Sequence, residues 1–154
     1  MGYIDENLIS GEEVAYRARL HKVLFVGPAI FAMAFFALSY WLLTHVSIYT
    51  DYAPLSFVVG ALIILSPMLT YISSEFAVTN KRVIAKVGYM RRQTVETFLQ
   101  KIEAIEVQQS LFGRIFNWGT IVIIGTGGTN EYFQNIANPL AFRLAVEQQT
   151  DAKK

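Results

Sequence analysis

Few residues of this chain combine the side-chain types and the spacing that catalysis or metal binding requires. Its 154 residues include no cysteine and two histidines, His21 and His45, so thiolate chemistry is excluded. Glu103 and Glu106 are three positions apart on a predicted strand, which places them on opposite faces. The Gly125–Gly128 run lacks the spacing of a phosphate-binding loop and is typical of a hairpin turn. We therefore expect no catalytic residue, no cofactor and no metal.

The composition argues against nucleic acid as a partner and for a strongly apolar segment. Thirteen basic and twelve acidic residues leave a net charge of +1, which gives no global attraction to a polyanion. Hydrophobic residues make up 53% of the chain and charged residues 16%, against about 25% charged in average soluble domains. No lysine or arginine occurs between Lys22 and Lys81.

Two uncharged apolar runs, residues 23–43 and 55–72, fill most of that stretch. A helix needs roughly 20 residues to cross about 30 Å of hydrocarbon, so the first run is long enough and the second is at the short end. The alternative is a pair of buried core helices, but the rest of the chain is too small to enclose both. We therefore predict a transmembrane hairpin. Basic residues flank both runs and are absent between them, so the positive-inside rule places both termini in the cytoplasm.

From residue 75 the pattern changes to short β-type runs separated by turn residues. Six strands are predicted, at 75–79, 82–87, 94–99, 102–108, 120–124 and 131–136. Asn138-Pro139 predicts the start of a short amphipathic helix, with Asn138 as its N-cap. In residues 13–21 apolar and polar residues alternate, which favours a seventh strand; the alternative is a helix opened by a Ser10–Glu13 capping box.

Four stretches carry a family resemblance: residues 11–21 (GEEVAYRARLH), 76–84 (FAVTNKRVI), 101–128 (KIEAIEVQQSLFGRIFNWGTIVIIGTGG) and 136–143 (IANPLAFR). They resemble the bacterial pleckstrin-homology (PH) domain membrane proteins of the YdbS-like type. The resemblance implies a membrane-anchored α+β fold: a two-helix transmembrane hairpin plus a PH-like small β-barrel or bent antiparallel sheet of about seven strands, with a C-terminal capping helix. It also implies a binding module of the inner, cytoplasmic membrane, but phosphoinositide binding does not follow from the fold.

The chain is accordingly divided into four parts. Residues 1–22 supply the N-terminal cytoplasmic strand that completes the PH-like domain, residues 23–72 form the transmembrane hairpin, residues 73–149 form the PH-like domain, and residues 150–154 are a tail.

Strand direction, counted outward from the second span, predicts which loops return to the bilayer. At about 3.3 Å per residue, the Asn80-Lys81 turn lies about 16 Å away and the later connections return. The residues assigned to the membrane interface are Tyr89, Arg91, Arg92, Phe112, Arg114, Phe116 and Trp118. The alternatives are a solvated turn for Arg91 and Arg92 and a barrel end closed by the aromatic residues. Lys81 and Arg82 are the candidate partner-binding residues.

The sequence therefore predicts a non-enzymatic binding or scaffolding protein at the cytoplasmic membrane face. It would bind anionic lipid headgroups and either a protein partner or a second copy in a homo-oligomer. The alternative is an accessory subunit of a larger membrane complex, contacting it through small residues of the two spans: Gly27, Ala32, Ala34, Ala37, Gly60 and Ala61.

Overall fold

The computed structural model describes residues 2–45, 52–89 and 93–152. The chain forms two units, a sheet unit (Met1–His21 and Ser73–Lys154) and a helical unit (Lys22–Ile72). In chain order, the elements are α1 (Tyr3–Glu6), β1 (Val14–Ala18), α2 (Val26–His45), α3 (Ala53–Ser73), β2 (Glu75–Thr79), β3 (Arg82–Val87), β4 (Gln93–Phe98), β5 (Ile102–Gln108), α4 (Leu111–Ile115), β6 (Trp118–Gly125), β7 (Asn130–Ala137) and α5 (Pro139–Asp151). The helical unit is thus inserted between the first two strands of the sheet unit.

The sheet unit contains two antiparallel sheets. The first has the strand order β1-β2-β3-β4 and the second has the order β5-β6-β7. Among the described residues the predicted seven strands and C-terminal helix are confirmed, and the strands divide into two sheets. Residues 14–18 form β1, so the helical alternative for this segment is wrong. Leu20 continues β1 as a bridge to Ile136 of β7 and so connects the two sheets.

The core of the sheet unit lies between the sheets and beneath α5. The rings of Phe76 and Phe133 meet edge to face with centroids 6.0 Å apart. Residues 121–123 of β6 are all buried, because this strand is the middle one of its sheet. The buried Phe142 of α5 meets the ring of Tyr16 at 6.3 Å, which packs the last helix against the first strand.

The helical unit consists of α2 and α3. Lys22–His45 and Ala53–Ser73 are long and apolar enough to cross a membrane by length and composition, with mean hydropathies of 2.0 and 2.1. The two helices pack closely where Gly60 meets Phe36, since a Cβ on Gly60 would lie 2.7 Å from the ring. Ala32 is fully buried at the same contact. Two of the six small residues predicted to face other proteins are therefore used within the hairpin itself.

Candidate functional site

A short helix between β5 and β6 presents the clearest exposed feature of the sheet unit. This helix, α4, begins after Ser110, whose Oγ accepts a hydrogen bond of 3.0 Å from the backbone N–H of Gly113 and so caps it. Gly113 is buried against β6, where a Cβ would lie 2.6 Å from the carbonyl oxygen of Trp118. Because the chain approaches β6 at this glycine, the side chains on the other positions of α4 face outward.

Four large apolar side chains of α4 and the residue after it point into solvent. We call them the α4 surface; their exposed fractions are 77% for Leu111, 69% for Phe112, 73% for Ile115 and 61% for Phe116. Single exposed apolar residues are ordinary, whereas a cluster of this kind marks a contact surface for lipid or protein. The one charged residue between Glu106 and Glu131 is Arg114, so the segment that forms the α4 surface carries a cation and no acidic residue.

Two asparagines join α4 to the start of α5. Asn117 and Asn138 have left-handed backbone angles, φ of 59° and 52°, which asparagine adopts more readily than most residues. The backbone N–H of Asn138 donates to the carbonyl oxygen of Asn117 at 3.0 Å, and their side-chain amides are hydrogen-bonded. Asn138 does precede α5 as predicted, but its side chain does not cap the helix. Leu140 and Leu144 of α5 are also exposed, so the helix that follows Asn138 adds apolar surface to that of α4.

The start of β6, which follows α4, lies near the residues at which the chain leaves the sheet unit for α2. Trp118, half-buried, pairs with Ala137, and the Ala137 N–H donates to the carbonyl oxygen of Arg19 at 3.0 Å. With neighbouring strands about 4.8 Å apart, Trp118 lies about 10 Å from Arg19. On the first sheet, Ala18 pairs with Phe76. The helical unit therefore follows β1 and precedes β2, and these two strands pair with each other.

The other predicted interface residues follow β3. Tyr89 is exposed, and the N–H of the preceding Gly88 donates to Ser74 Oγ at 3.2 Å, so this turn begins beside the residue at which the chain re-enters the sheet unit. Arg91 and Arg92 lie outside the described residues. Phe112 and Arg114 lie on α4, and Phe116 directly follows it. These three residues belong to a different connection of the chain from Tyr89, which follows β3.

The turn between β2 and β3 is organised around a buried ion pair. Only 6% of Arg82 is exposed. Its Nε and Nη2 donate to the two carboxylate oxygens of Glu12 at 3.0 Å each, its Nη1 donates to Glu96 at 2.5 Å, and its Nη2 also donates to the carbonyl oxygen of Asn7 at 2.7 Å. Arg82, predicted as a candidate partner-binding residue, is therefore buried by contacts within the chain in this structure.

The environment of this pair keeps both groups charged. Burial raises the pKa of the Glu12 carboxyl, but hydrogen bonds from Arg82, the Ile9 N–H and the Thr79 hydroxyl outweigh it, so that the pKa lies below its ordinary value. Burial lowers the pKa of Arg82, and the hydrogen bond and charge of Glu12 more than offset this, so that it lies above its ordinary value.

Residues 2–12, which we call the strap, cover one face of the first sheet. Ile4 is 1% exposed and packs against Ala77 and Ile84. The Glu75 carboxylate accepts hydrogen bonds of 3.0 and 3.2 Å from two backbone N–H groups at the start of α1. Because Phe76 contacts the second sheet and successive strand residues face opposite ways, the strap lies on the face turned away from that sheet.

The 80–82 turn fixes the end of the strap. Asn80 Nδ2 donates to the carbonyl oxygen of Gly11, and its Oδ1 accepts from the Glu13 N–H, both at 3.1 Å. The Lys81 ammonium donates to the carbonyl oxygen of Ser10 at 2.6 Å. The predicted partner-binding residue Lys81 is thus half-buried and engaged within the chain. Sequence reasoning missed the strap, although Ile4, Leu8 and Glu12 follow one another at intervals of four in an acidic segment.

A groove of about 350 Å³ lies between β4 and the β6–β7 turn, in the sheet unit. Its lining includes Val95, Phe98, Lys101, Ile123 and Glu131. Among the described residues no group of three histidine, cysteine, aspartate or glutamate side chains could hold a metal ion. The groove offers contact area and hydrogen-bonding groups.

A four-stranded and a three-stranded antiparallel sheet followed by a helix are consistent with a PH-type fold. Residues 22–149 match the family described as Bacterial PH domain, and the chain belongs to this family. The match includes the helical unit, β2 to β7 and most of α5, and it begins after the strap and β1. No curated protein and no solved structure matches the chain.

Proposed function

We propose that this bacterial PH-domain protein is a non-enzymatic binding and scaffolding module of the YdbS-like type, held at the cytoplasmic face of the inner membrane. The helical unit is the anchor, the α4 surface lies in the lipid interface, and the remaining faces of the sheet unit bind a protein partner or a second copy. The observation that carries this proposal is the α4 surface, a cluster of four exposed apolar side chains in a segment that also carries Arg114.

The anchor is supported by helix length and by strand pairing. A helix of 20 residues, such as α2, is about 30 Å long, the thickness of the hydrocarbon core. Since Ala18 pairs with Phe76, the two ends of the inserted segment must be on one side of any membrane that it enters. Two spans satisfy this condition and a single span does not. The distribution of basic residues supports the cytoplasmic side.

Lipid contact is supported by the chemistry of the α4 surface. Aromatic and aliphatic side chains beside a cation are typical of segments that lie at the membrane interface. Anionic lipids attract each nearby lysine or arginine by about 1 kcal/mol, so Arg114 alone is a weak contributor and the four apolar side chains would dominate. Because the chain is anchored covalently, this contact would set the orientation of the domain rather than its localisation.

A second candidate function, an accessory subunit of a larger membrane complex, is favoured by one feature of the helical unit. Gly27, Ala34, Ala37 and Ala61 are exposed on the helices, outside the Gly60–Phe36 contact. Small residues on the lipid side of spans allow close approach of further helices.

Photo-crosslinking tests the orientation of the α4 surface. A photoreactive phenylalanine analogue at Phe112 should give lipid adducts in native membranes, detected by mass spectrometry. The matched control is the same analogue at Glu103, which is also exposed but lies on β5 outside the α4 surface. Protein adducts without lipid adducts at position 112 would contradict the lipid assignment.

Native mass spectrometry from lipid nanodiscs tests the binding role. An assembly of this chain alone supports self-association, whereas unlike chains that remain bound through the helical unit support the accessory role. A monomer under all lipid compositions would contradict both.

A further inference from the structure

The strap is attached to the sheet unit differently from every strand. From Glu13 onward the backbone enters the strand ladder, since the Asn80 N–H donates to the Glu13 carbonyl oxygen and Val14 pairs with Thr79. The strap itself is held through side chains: Glu75 accepts from the N–H groups at its start, while Asn80, Lys81 and Arg82 donate to its carbonyl oxygens. A segment held in this way can leave without breaking the sheet.

The strap and the face beneath it have complementary charges. The strap carries Asp5, Glu6 and Glu12 and no basic residue. Four cations of the sheet unit meet it: Arg17 pairs with Asp5, Arg82 pairs with Glu12, and Lys81 donates to the carbonyl oxygen of Ser10. The fourth is Lys86, whose ammonium lies 4.9 Å from the ring centroid of Tyr3. The face also holds two carboxylates, those of Glu75 and Glu96, which bind the strap N–H groups and Arg82.

Two groups anchor the strap, one apolar and one acidic. Ile4 fills the site over Ala77 and Ile84, with Leu8 half-buried beside it, and the Glu12 carboxylate fits the guanidinium fork of Arg82. Most of the other strap residues are exposed, and Gly11, with φ of 71°, forms the bend before β1.

We propose that this face of the first sheet is a docking surface for an acidic amphipathic segment of a partner protein, and that the strap occupies it in cis. The partner segment would carry an aliphatic residue eight positions before a carboxylate, as Ile4 precedes Glu12. The inference rests on the proposed function of the domain as a protein-binding module. A competing carboxylate restores the bidentate contact of Arg82. A neutral competitor would bury the guanidinium with Glu96 as its remaining carboxylate partner, so the surface selects acidic segments.

Peptide binding in nanodiscs tests this assignment. A fluorescent peptide of residues 2–13 should bind saturably to a chain that lacks residues 2–12. Binding to the intact chain should be far weaker, because the tethered strap competes at an effective concentration on the order of mM. Glu12→Gln in the peptide should weaken binding about tenfold or more, since a charge-assisted fork becomes a neutral contact. The matched control Glu6→Gln changes an exposed carboxylate and should bind like the original peptide.

The proposal is overturned if the shortened chain is folded by circular dichroism yet binds no peptide, or if the Glu12→Gln peptide binds equally well. If the shortened chain does not fold, hydrogen exchange of the intact chain tests whether the strap opens separately from the sheet. The amides of Ile4 and Glu12 should then exchange about 100-fold or more faster than those of Val78 and Ile84, through local opening. Equal exchange rates would show that the strap never opens separately. Failure of these strap experiments would not affect the lipid crosslinks expected at Phe112. Absence of those crosslinks would likewise not affect peptide binding to the first sheet.

Discussion

Arg82→Met tests the buried ion pair, because methionine keeps much of the side-chain length and removes every polar contact. The guanidinium makes four hydrogen bonds, two to Glu12, one to Glu96 and one to the carbonyl oxygen of Asn7. The variant leaves the Glu12 carboxylate, whose side chain is 0% exposed, without its cation. Removal of one partner from a buried pair costs about 3–5 kcal/mol. That is a large part of the roughly 5–15 kcal/mol by which domains are stable.

Trp118 fluorescence can follow this loss during urea unfolding in nanodiscs. The chain has two tryptophans, and Trp41→Phe leaves Trp118, half-buried at the start of β6, as the reporter. With a slope of about 2 kcal/mol/M, Arg82→Met should lower the midpoint by about 1.5–2.5 M. The matched control is Lys81→Met, which removes a neighbouring cation with a hydrogen bond to Ser10 and should cost about 1 kcal/mol. Equal midpoints for the two variants would refute the reasoning.

The same pair gives the stability a pH dependence of known sign. The folded-state pKa of Glu12 lies below its ordinary value of 4.5. The unfolded chain therefore binds a proton at Glu12 more readily, so the stabilisation is complete above about pH 4.5 and is lost as the pH falls through the folded-state pKa. Glu12→Gln should flatten the decline in the urea midpoint between about pH 6 and pH 3. If the urea midpoint of Glu12→Gln falls with pH as steeply as that of the parent chain, other carboxylates account for the whole pH dependence.

The remaining predictions concern two glycines at close contacts. Gly113→Ala places a Cβ 2.6 Å from the backbone oxygen of Trp118 and should destabilise α4 by about 1–3 kcal/mol, measured as faster hydrogen exchange in the α4 segment. Exchange unchanged from the parent chain would contradict the close approach. Gly60→Ala places a Cβ 2.7 Å from the Phe36 ring and should lower the thermal stability of the helical unit in nanodiscs, whereas Gly27→Ala, with nothing within 4 Å, should not. Equal effects of the two alanine variants would argue against the close α2–α3 packing.

The strands were predictable because their signals are local. Alternation over residues 13–21 predicted a strand, of which Val14–Ala18 forms β1, and the turn at Asn80-Lys81 predicted a hairpin. A continuous apolar run such as residues 121–124 is typical of a strand that is central or lies beneath another element, and β6 is the middle strand of its sheet. The ends of β4, β6 and β7 differ from prediction by one or two residues, where the ladder continues beyond the apolar core.

The strap was not predictable in the same way, because its conformation depends on contacts with residues that are far away in the sequence. Glu12 is satisfied by Arg82, and Ile4 is buried by Ala77 and Ile84, across about 70 intervening positions. A basic pair in a turn, read alone, is typical of a solvated or partner-binding site. Only the fold shows that the cation faces an acidic segment from the other end of the chain.

The ion pair also connects the fold of the sheet unit to the proposed membrane insertion. The strap and β1 precede the helical unit, whereas their partners β2 and β3 follow it. Pairing of Ala18 with Phe76 therefore requires that both helices cross the bilayer, or that neither does. A chain in which one helix crosses alone would keep β1 from its ladder and Glu12 from Arg82. The Glu12–Arg82 pair can thus form only when both ends of the inserted segment lie on the same side of the bilayer, so loss of the pair would report a chain in which one helix crosses alone.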